Sequence, residues 1–344
     1  MSEPLSEALS ETQGAQFYPW HKGPRSQLLR QHSQGKLAHA LLLCGQANLG
    51  KRDFAGALAH LLLCRDPVDE LACGHCPGCD LFRAGTHPDF RVVKPEEPSK
   101  QIKIDQVRDL INWSGHTAQR NGWKIAIIHP AETMNNATAN ALLKRLEEPA
   151  GRSLFMLVTH QPSRLLPTIR SRCQRVEFVV PDATKVIGWL QERLPAVQNL
   201  GLLLSIAGGE PLTVVNQFSA DYLQRRQVVI QTLVALVSGQ MTPAQAYARV
   251  AVDEPGVVLK LCLDLVADCL KWHGSKEEKY IKNKDMKSEV NAVCGALDGD
   301  QLFQLMDRLM QEQRQLTSPS NPNPQLLLEA LFVAIHQRRM QLIL

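Results

Sequence analysis

The segment Gly45-Gln46-Ala47-Asn48-Leu49-Gly50-Lys51-Arg52 restricts what this chain can fold into more than any other stretch. An apolar run, Ala38–Cys44, reads as a strand before it, and Phe54–Cys64 reads as a helix after it. Strand, loop and helix in that order are the context in which G-x-x-x-x-G-K forms a phosphate-binding loop. Backbone N–H groups and the helix N-terminus then cradle phosphates, and Lys51 reaches toward the terminal ones. Gly45, Gly50, Lys51 and Arg52 are therefore candidate nucleotide-binding positions. The pattern breaks at its last place, because Arg52 stands where Ser or Thr would ligate Mg²⁺.

Further apolar runs follow at Phe90–Val93, Lys124–Ile128, Leu154–Thr159 and Arg175–Val180, with helical spacing between them at Ile104–Trp113 and Ala137–Leu146. Strands alternating with helices predict a parallel sheet covered on both faces. A hydrolysing enzyme of this kind needs carboxylates at the end of a later strand. Lys124–Ile128 is followed instead by His129 and Pro130, and Glu132 arrives two residues further on. His129 can be read as a base or ligand, and more plainly as a strand-end residue. With Arg52, this predicts an ATPase fold without turnover, and leaves nucleotide binding open.

Of nine cysteines, four lie within sixteen residues as Cys64-x8-Cys73-x2-Cys76-x2-Cys79. Four thiols so spaced can close a tetrahedral zinc site. The loop would then be ordered by one structural metal rather than by a core of its own. Arg65, His75 and Arg83 are near enough in sequence to offset the net negative charge of such a centre. The other five cysteines sit among apolar neighbours and read as small buried hydrophobes.

After Pro181 the strand-like runs fade. Thr184–Leu194, Leu200–Ala207 and Pro211–Phe218 read as short helices, and long Leu/Val/Ala periodicities follow at Val228–Val237, Val257–Trp272, Leu302–Gln315 and Gln325–Leu342. The lysine-rich interval Gly274–Ser288 reads as a loop or solvated helix end, and Thr317–Pro324 as a joint. The expected organisation is a disordered acidic tail over 1–16, an α/β domain over 17–180, a small helical lid over 181–221 and an all-α domain over 222–344. An apolar content of 44% excludes wholesale disorder. Thirty-eight basic against 34 acidic side chains give only +4, which neither demands nor forbids a nucleic-acid partner. No run approaches the ~18 apolar residues of a membrane span, and the polar start has no signal-peptide pattern. The expectation is a soluble cytoplasmic protein.

A dense set of short motifs accompanies the loop and the cysteines. Tyr18-Pro19-Trp20, His39-Ala40-Leu41-Leu42, Gly85-Thr86-His87-Pro88-Asp89, Asn140–Pro149 with its Leu146-Glu147-Glu148-Pro149 ending, and Ser171-Arg172-Cys173 occur in that order. Together they resemble the clamp-loader branch of the AAA+ family, and within it the bacterial DNA polymerase III clamp loader. The match is dense over 17–180 and beyond that rests on helical pattern and length. The resemblance implies a RecA-like AAA+ domain bearing the zinc module, a helical lid and a helical collar domain that oligomerises. It implies assembly with gamma/tau-type motor subunits and a clamp-opening delta subunit, and ATP-driven loading of a sliding clamp onto primer-template DNA.

By the same resemblance Arg172 is an arginine finger acting in trans, and Thr159 falls where active members sense the γ-phosphate. Gly208-Gly209-Glu210-Pro211-Leu212 has Leu212 where active members carry a lid arginine. The departures agree on a non-hydrolysing subunit. Two alternatives remain at this stage. One is a motor subunit in which Glu132 replaces the missing acidic pair; the other is a zinc-containing nucleic-acid-binding protein with a vestigial nucleotide fold.

Overall fold

The computed structural model describes residues 15–96, 101–120, 122–218, 221–251, 253–316 and 323–340. Residues 1–14 of the expected acidic tail, 1–16, and most of the expected joint, 317–324, lie outside the described residues, whereas Gln16 is described and bonds Tyr18 Oη through Nε2. The chain divides into two compact units, 1–196 with 209–217, and 197–208 with 218–344.

The first unit begins with α1 (Lys22–Ser33), β1 (Ala40–Gly45), α2 (Lys51–Leu63), α3 (Pro77–Arg83), β2 (Phe90–Val93) and α4 (Ile104–Ser114). It continues through β3 (Lys124–Ile128), α5 (Asn136–Glu147), β4 (Ser153–Thr159), α6 (Pro167–Arg170) and β5 (Gln174–Phe178). All strand pairs are parallel, in the order β2-β3-β4-β1-β5, with the loop of the G-x4-G-K motif at the end of a central strand. This all-parallel sheet, with a phosphate-type loop between β1 and α2, agrees with the RecA-like domain that the resemblance implies.

Alternation of side chains along each strand builds the three layers. Leu41, Leu43, Ile125, Ile127, Leu154, Met156 and Val158 join one core with Leu28 of α1 and Phe54, Leu58 and Leu62 of α2. Their neighbours Leu42, Cys44, Ala126, Ile128, Phe155 and Leu157 join the other, with Val107 and Leu110 of α4 and Leu142 and Leu146 of α5. A truncation such as Leu157→Ala in so tight a core costs about 2–5 kcal/mol, a large part of a typical stability. Strand β5 stops at Phe178 rather than at the expected Val180, because its partner β1 ends at Gly45, opposite Phe178.

Helix α7 (Ala183–Arg193) belongs to this unit; α8 (Leu200–Ile206) groups with the other, and α9 (Pro211–Gln217) again with the first. The second unit adds α10 (Tyr222–Ser238), α11 (Pro243–Val250), α12 (Pro255–Ser275), α13 (Lys287–Ala296), α14 (Gly299–Leu316) and α15 (Pro324–Met340). Leu233, Leu236, Val258, Leu265, Leu302, Leu309 and Phe332 anchor its apolar core.

The Gly274–Ser288 interval is less solvated than its composition suggests. Ile281, Asn283 and Met286 are buried. Arg226 of α10, only 1% exposed, donates to Asn283 Oδ1 and pairs with Asp285. Buried Asp268 of α12 accepts from the backbone of Lys282 and Asn283 and from the Asn283 amide. Each buried charge is thus matched, as burial requires.

Candidate functional site at the two ends of the sheet

The loop Gly45–Lys51 leaves β1 at the C-terminal end of the sheet, and Lys51 is the first residue of α2. Gly45 and Gly50 hold positive φ, at 151° and 77°. A side chain at Gly45 would strike the Phe178 carbonyl, and one at Gly50 the Tyr18 ring. The Tyr18-Pro19-Trp20 motif lies under this loop. Trp20 Nε1 donates to the Leu49 carbonyl at 3.0 Å, His21 Nε2 approaches it at 2.8 Å, and Tyr18 Oη donates to Asp53 at 2.9 Å.

Lys51 is 2% exposed. Its ammonium carries three N–H donors, and they meet Gly45 O at 2.8 Å, Gln46 O, and His160 Nδ1 at 3.0 Å. Burial pushes its pKa down to about 8, with the charge of Glu132 opposing. Burial likewise pushes His129 down to about 4, helped by the charge of His160. Glu132, which in sequence lies beyond the expected acidic position, is carried back by the 3₁₀ turn Ala131–Thr133. Its Oε1 accepts from His160 N at 3.0 Å, while Oε2 has no partner among the described residues. Thr159, buried at the end of β4 and paired with Cys44, accepts from Gln161 N through Oγ1 at 3.1 Å. Arg52 is exposed on α2.

The loop is also held from α9 and the residue before it. Asn48 Nδ2 donates to Thr213 Oγ1 at 2.9 Å and to Glu210 Oε2 at 3.4 Å, and Leu212 N donates to Asn48 O at 3.3 Å. Leu212, at the place of the lid arginine, thus contributes its backbone and an 8% exposed side chain. His160 and this Asn48 clasp lie beyond the reach of motif reading: their partners are over 100 residues away in sequence.

Arg172 lies at the opposite end. It precedes β5, whose first residue, Gln174, pairs with Leu41, whereas Phe178 at its far end pairs with Gly45. At ~3.3 Å per residue, the strand alone separates the two levels by roughly 13 Å. The guanidinium is ion-paired to Glu147, the last residue of α5, through Nε and Nη2, and Nη1 donates to Thr168 O at 3.1 Å. Its side chain stays 35% exposed.

The four cysteines gather between α2 and α3. All four Sγ atoms lie within 4.8 Å of one another, and the pairs Cys64–Cys76 and Cys73–Cys79 stand 3.9 Å apart. A tetrahedron with metal–sulfur bonds of ~2.3 Å has edges of about 3.8 Å, so the cluster can hold one metal ion. Cys73 N donates to Cys64 Sγ at 3.3 Å. Burial works against the Cys76 thiolate, but backbone N–H groups of Arg65 and Cys79 outweigh it and bring its pKa to about 6. Arg65 thus assists through its backbone. Arg83 bonds Gly74 O, and His75 lies 2.9 Å from Cys73 O. The hairpin tip beyond Cys64 is fastened by Arg25, which donates to the carbonyls of Asp69 and Glu70.

Two family models cover most of the chain: DNA polymerase III, delta subunit, over residues 20–182, and DNA polymerase III, delta subunit, C terminal, over 220–337. The DNA polymerase III subunit delta' of Pseudomonas aeruginosa is 38% identical over 325 residues, 93% of this chain and 97% of that one. The chain belongs to the DNA polymerase III delta' family. Another delta' member, from Escherichia coli, is 30% identical over 93% of this chain and 95% of its own. Among solved structures, a DNA polymerase III gamma subunit-related protein from Thermotoga maritima matches with a TM-score of 0.45 at 18% identity, covering 91% of this chain and 99% of that one. For this delta' chain no described helix is long and apolar enough to cross a membrane.

Proposed function

We propose that this delta' chain is a clamp-loader subunit that does not turn over ATP itself and completes the ATP site of a neighbouring motor subunit with Arg172. One observation carries the reading. The lysine of its own phosphate loop is spent on internal acceptors, while an arginine stands partly exposed at the other end of the sheet, away from that loop. A guanidinium there is remote from this chain's own loop, which supports a role on a nucleotide held by another chain. It is always charged and donates as a planar fork to phosphate oxygens while charge redistributes in the transition state.

In this reading the partners are gamma/tau-type motor subunits, a clamp-opening delta subunit, the sliding clamp and primer-template DNA, and the setting is cytoplasmic. Family membership supports that assembly. Zinc held by Cys64, Cys73, Cys76 and Cys79 would order the loop between α2 and β2 and take no part in hydrolysis.

The test is a reconstituted loader carrying Arg172→Ala. Assembly and metal content should be unchanged, while clamp- and DNA-stimulated ATP hydrolysis falls. Fingers of this kind are worth about 10³–10⁵ in rate, or about 4–7 kcal/mol, at the one interface they complete. Arg172→Lys should restore little, because a point charge lacks the fork. A loader with Arg172→Ala that hydrolyses ATP and loads clamps at the unmodified rate would remove the finger assignment.

A further inference from the structure

We infer that Glu147 is a positioning residue for Arg172, and that the strand-start residue His39 secures the helix end from which it acts; this rests on the trans-acting role of Arg172. Three motifs far apart in sequence meet at the N-terminal end of the sheet. His39, just before β1, reaches the carbonyl of Leu146 with Nε2 at 2.7 Å, and its own carbonyl accepts from Phe155 N at 2.8 Å. The last turn of α5 is therefore tied to the first residues of the sheet. Glu147 is the next residue, and it grips Arg172 through Nε and Nη2. Behind both, Leu146, Ile169 and Cys173 are buried in one core. Each of the two charged residues thus has an immediate neighbour fixed by packing.

The placement of Glu147 is not explained by helix stability. A carboxylate at a helix C-terminus faces the negative end of the dipole and is disfavoured there. An ion pair whose members are 35% and 46% exposed contributes little to folding. Its geometric effect is larger. Arginine carries five N–H donors in a rigid fork, and a free side chain of that length gives up much rotamer entropy when it is ordered. Glu147 holds Nε and one hydrogen of Nη2, and Thr168 O holds Nη1 at 3.1 Å. One hydrogen of Nη2 remains, and Nη1 can supply a second by releasing the long, 3.4 Å contact to Ser171 Oγ. The arrangement orders the guanidinium in advance and keeps its outer donors for phosphate oxygens, so the neighbour's site need not freeze it out.

The experiment is a double-mutant cycle in the reconstituted loader, read as clamp- and DNA-stimulated ATPase with separate kcat and KM for ATP. Glu147→Ala should lower kcat by roughly three- to tenfold, less than Arg172→Ala, with KM unchanged. Glu147→Gln, which keeps an acceptor oxygen, should recover most of the loss. In the Arg172→Ala background, Glu147→Ala should do nothing further, an outcome that a purely structural role would not produce. His39→Ala should reproduce part of the Glu147→Ala loss and likewise be silent without Arg172. If Arg172→Ala lowers the rate and Glu147→Ala does not, the positioning role is overturned while the finger stands. A faster loader with Glu147→Ala would make Glu147 a competitor for the finger and overturn it too. No effect of Arg172→Ala itself would remove both.

Discussion

The two ends of one parallel sheet treat their cationic side chains in opposite ways. At the C-terminal end Lys51 is buried and its donors are used up by Gly45, Gln46 and His160. At the N-terminal end Arg172 is partly exposed, and the group that grips it is itself exposed. The lysine of the G-x4-G-K motif is thus turned inward, onto acceptors of its own domain. The arginine of the short Ser-Arg-Cys segment is the one that the proposed function directs toward a neighbouring subunit. Presence of a signature's letters and availability of its side chains are separate matters, and only the second bears on chemistry.

The strongest way to break this contrast is to substitute both cations in the assembled loader. Arg172→Ala should cost about 10³-fold or more at its interface, whereas Lys51→Ala should leave loader ATPase within experimental error of the unmodified rate. Equal losses would mean that the loop end also works on nucleotide. Next in size is the metal. The purified chain should carry one zinc, and Cys76→Ser should lose it and render residues 64–79 protease-sensitive while the sheet core still unfolds cooperatively; zinc retained at full content in that variant would refute the four-thiolate site.

A third expectation concerns acid. His21 and His129 are both held down to about 4, chiefly by burial. His21 shows why: Tyr18 N donates to its Nδ1 at 3.2 Å while Nε2 faces the Leu49 carbonyl, a pattern that only the neutral ring satisfies. Between pH ~6.5 and ~4 the unfolded chain binds protons that the folded chain refuses. Stability should therefore fall as pH drops through that window, by up to about 1.4 kcal/mol per unit for each histidine. Urea midpoints measured from pH 7 to 4.5 would show it, and His129→Gln should flatten the slope; a level profile in the unmodified protein would contradict the assignment. The smallest effect is at the clasp. Asn48→Gly, which removes the bond to Thr213 and tolerates the positive φ of 54° at this position, should lower stability by about 1 kcal/mol, seen as a small drop in Tm, and a larger drop would point to a wider role for Asn48.

The strands were legible because burial on both faces leaves uninterrupted apolar runs, as in Leu154–Val158. The phosphate loop and the cysteine quartet were legible because their partners are local in sequence. What escaped was long-range. Glu147 meets Arg172 across 25 residues, and His39 meets Leu146 across 107; no local spacing announces either. Arg226 reads as surface on α10 and is buried, because its partners Asn283 and Asp285 come from an interval whose lysines suggest solvent. Helices α1, α3, α11 and α13 stand outside the strong periodicities, being short or weakly amphipathic.

The strand order has a consequence for how the chain acquires its shape as it is made. Strand β1, near the start, finds its partners only in β4 and β5, so more than a hundred residues must be synthesised before its edges are covered. Contacts that distant are slow to form. The cysteine quartet, by contrast, is complete once residue 79 has emerged. A growing chain can therefore close its metal knuckle while β1 is still waiting, and the arginine, arriving just before β5, is set in place by the step that seals the sheet.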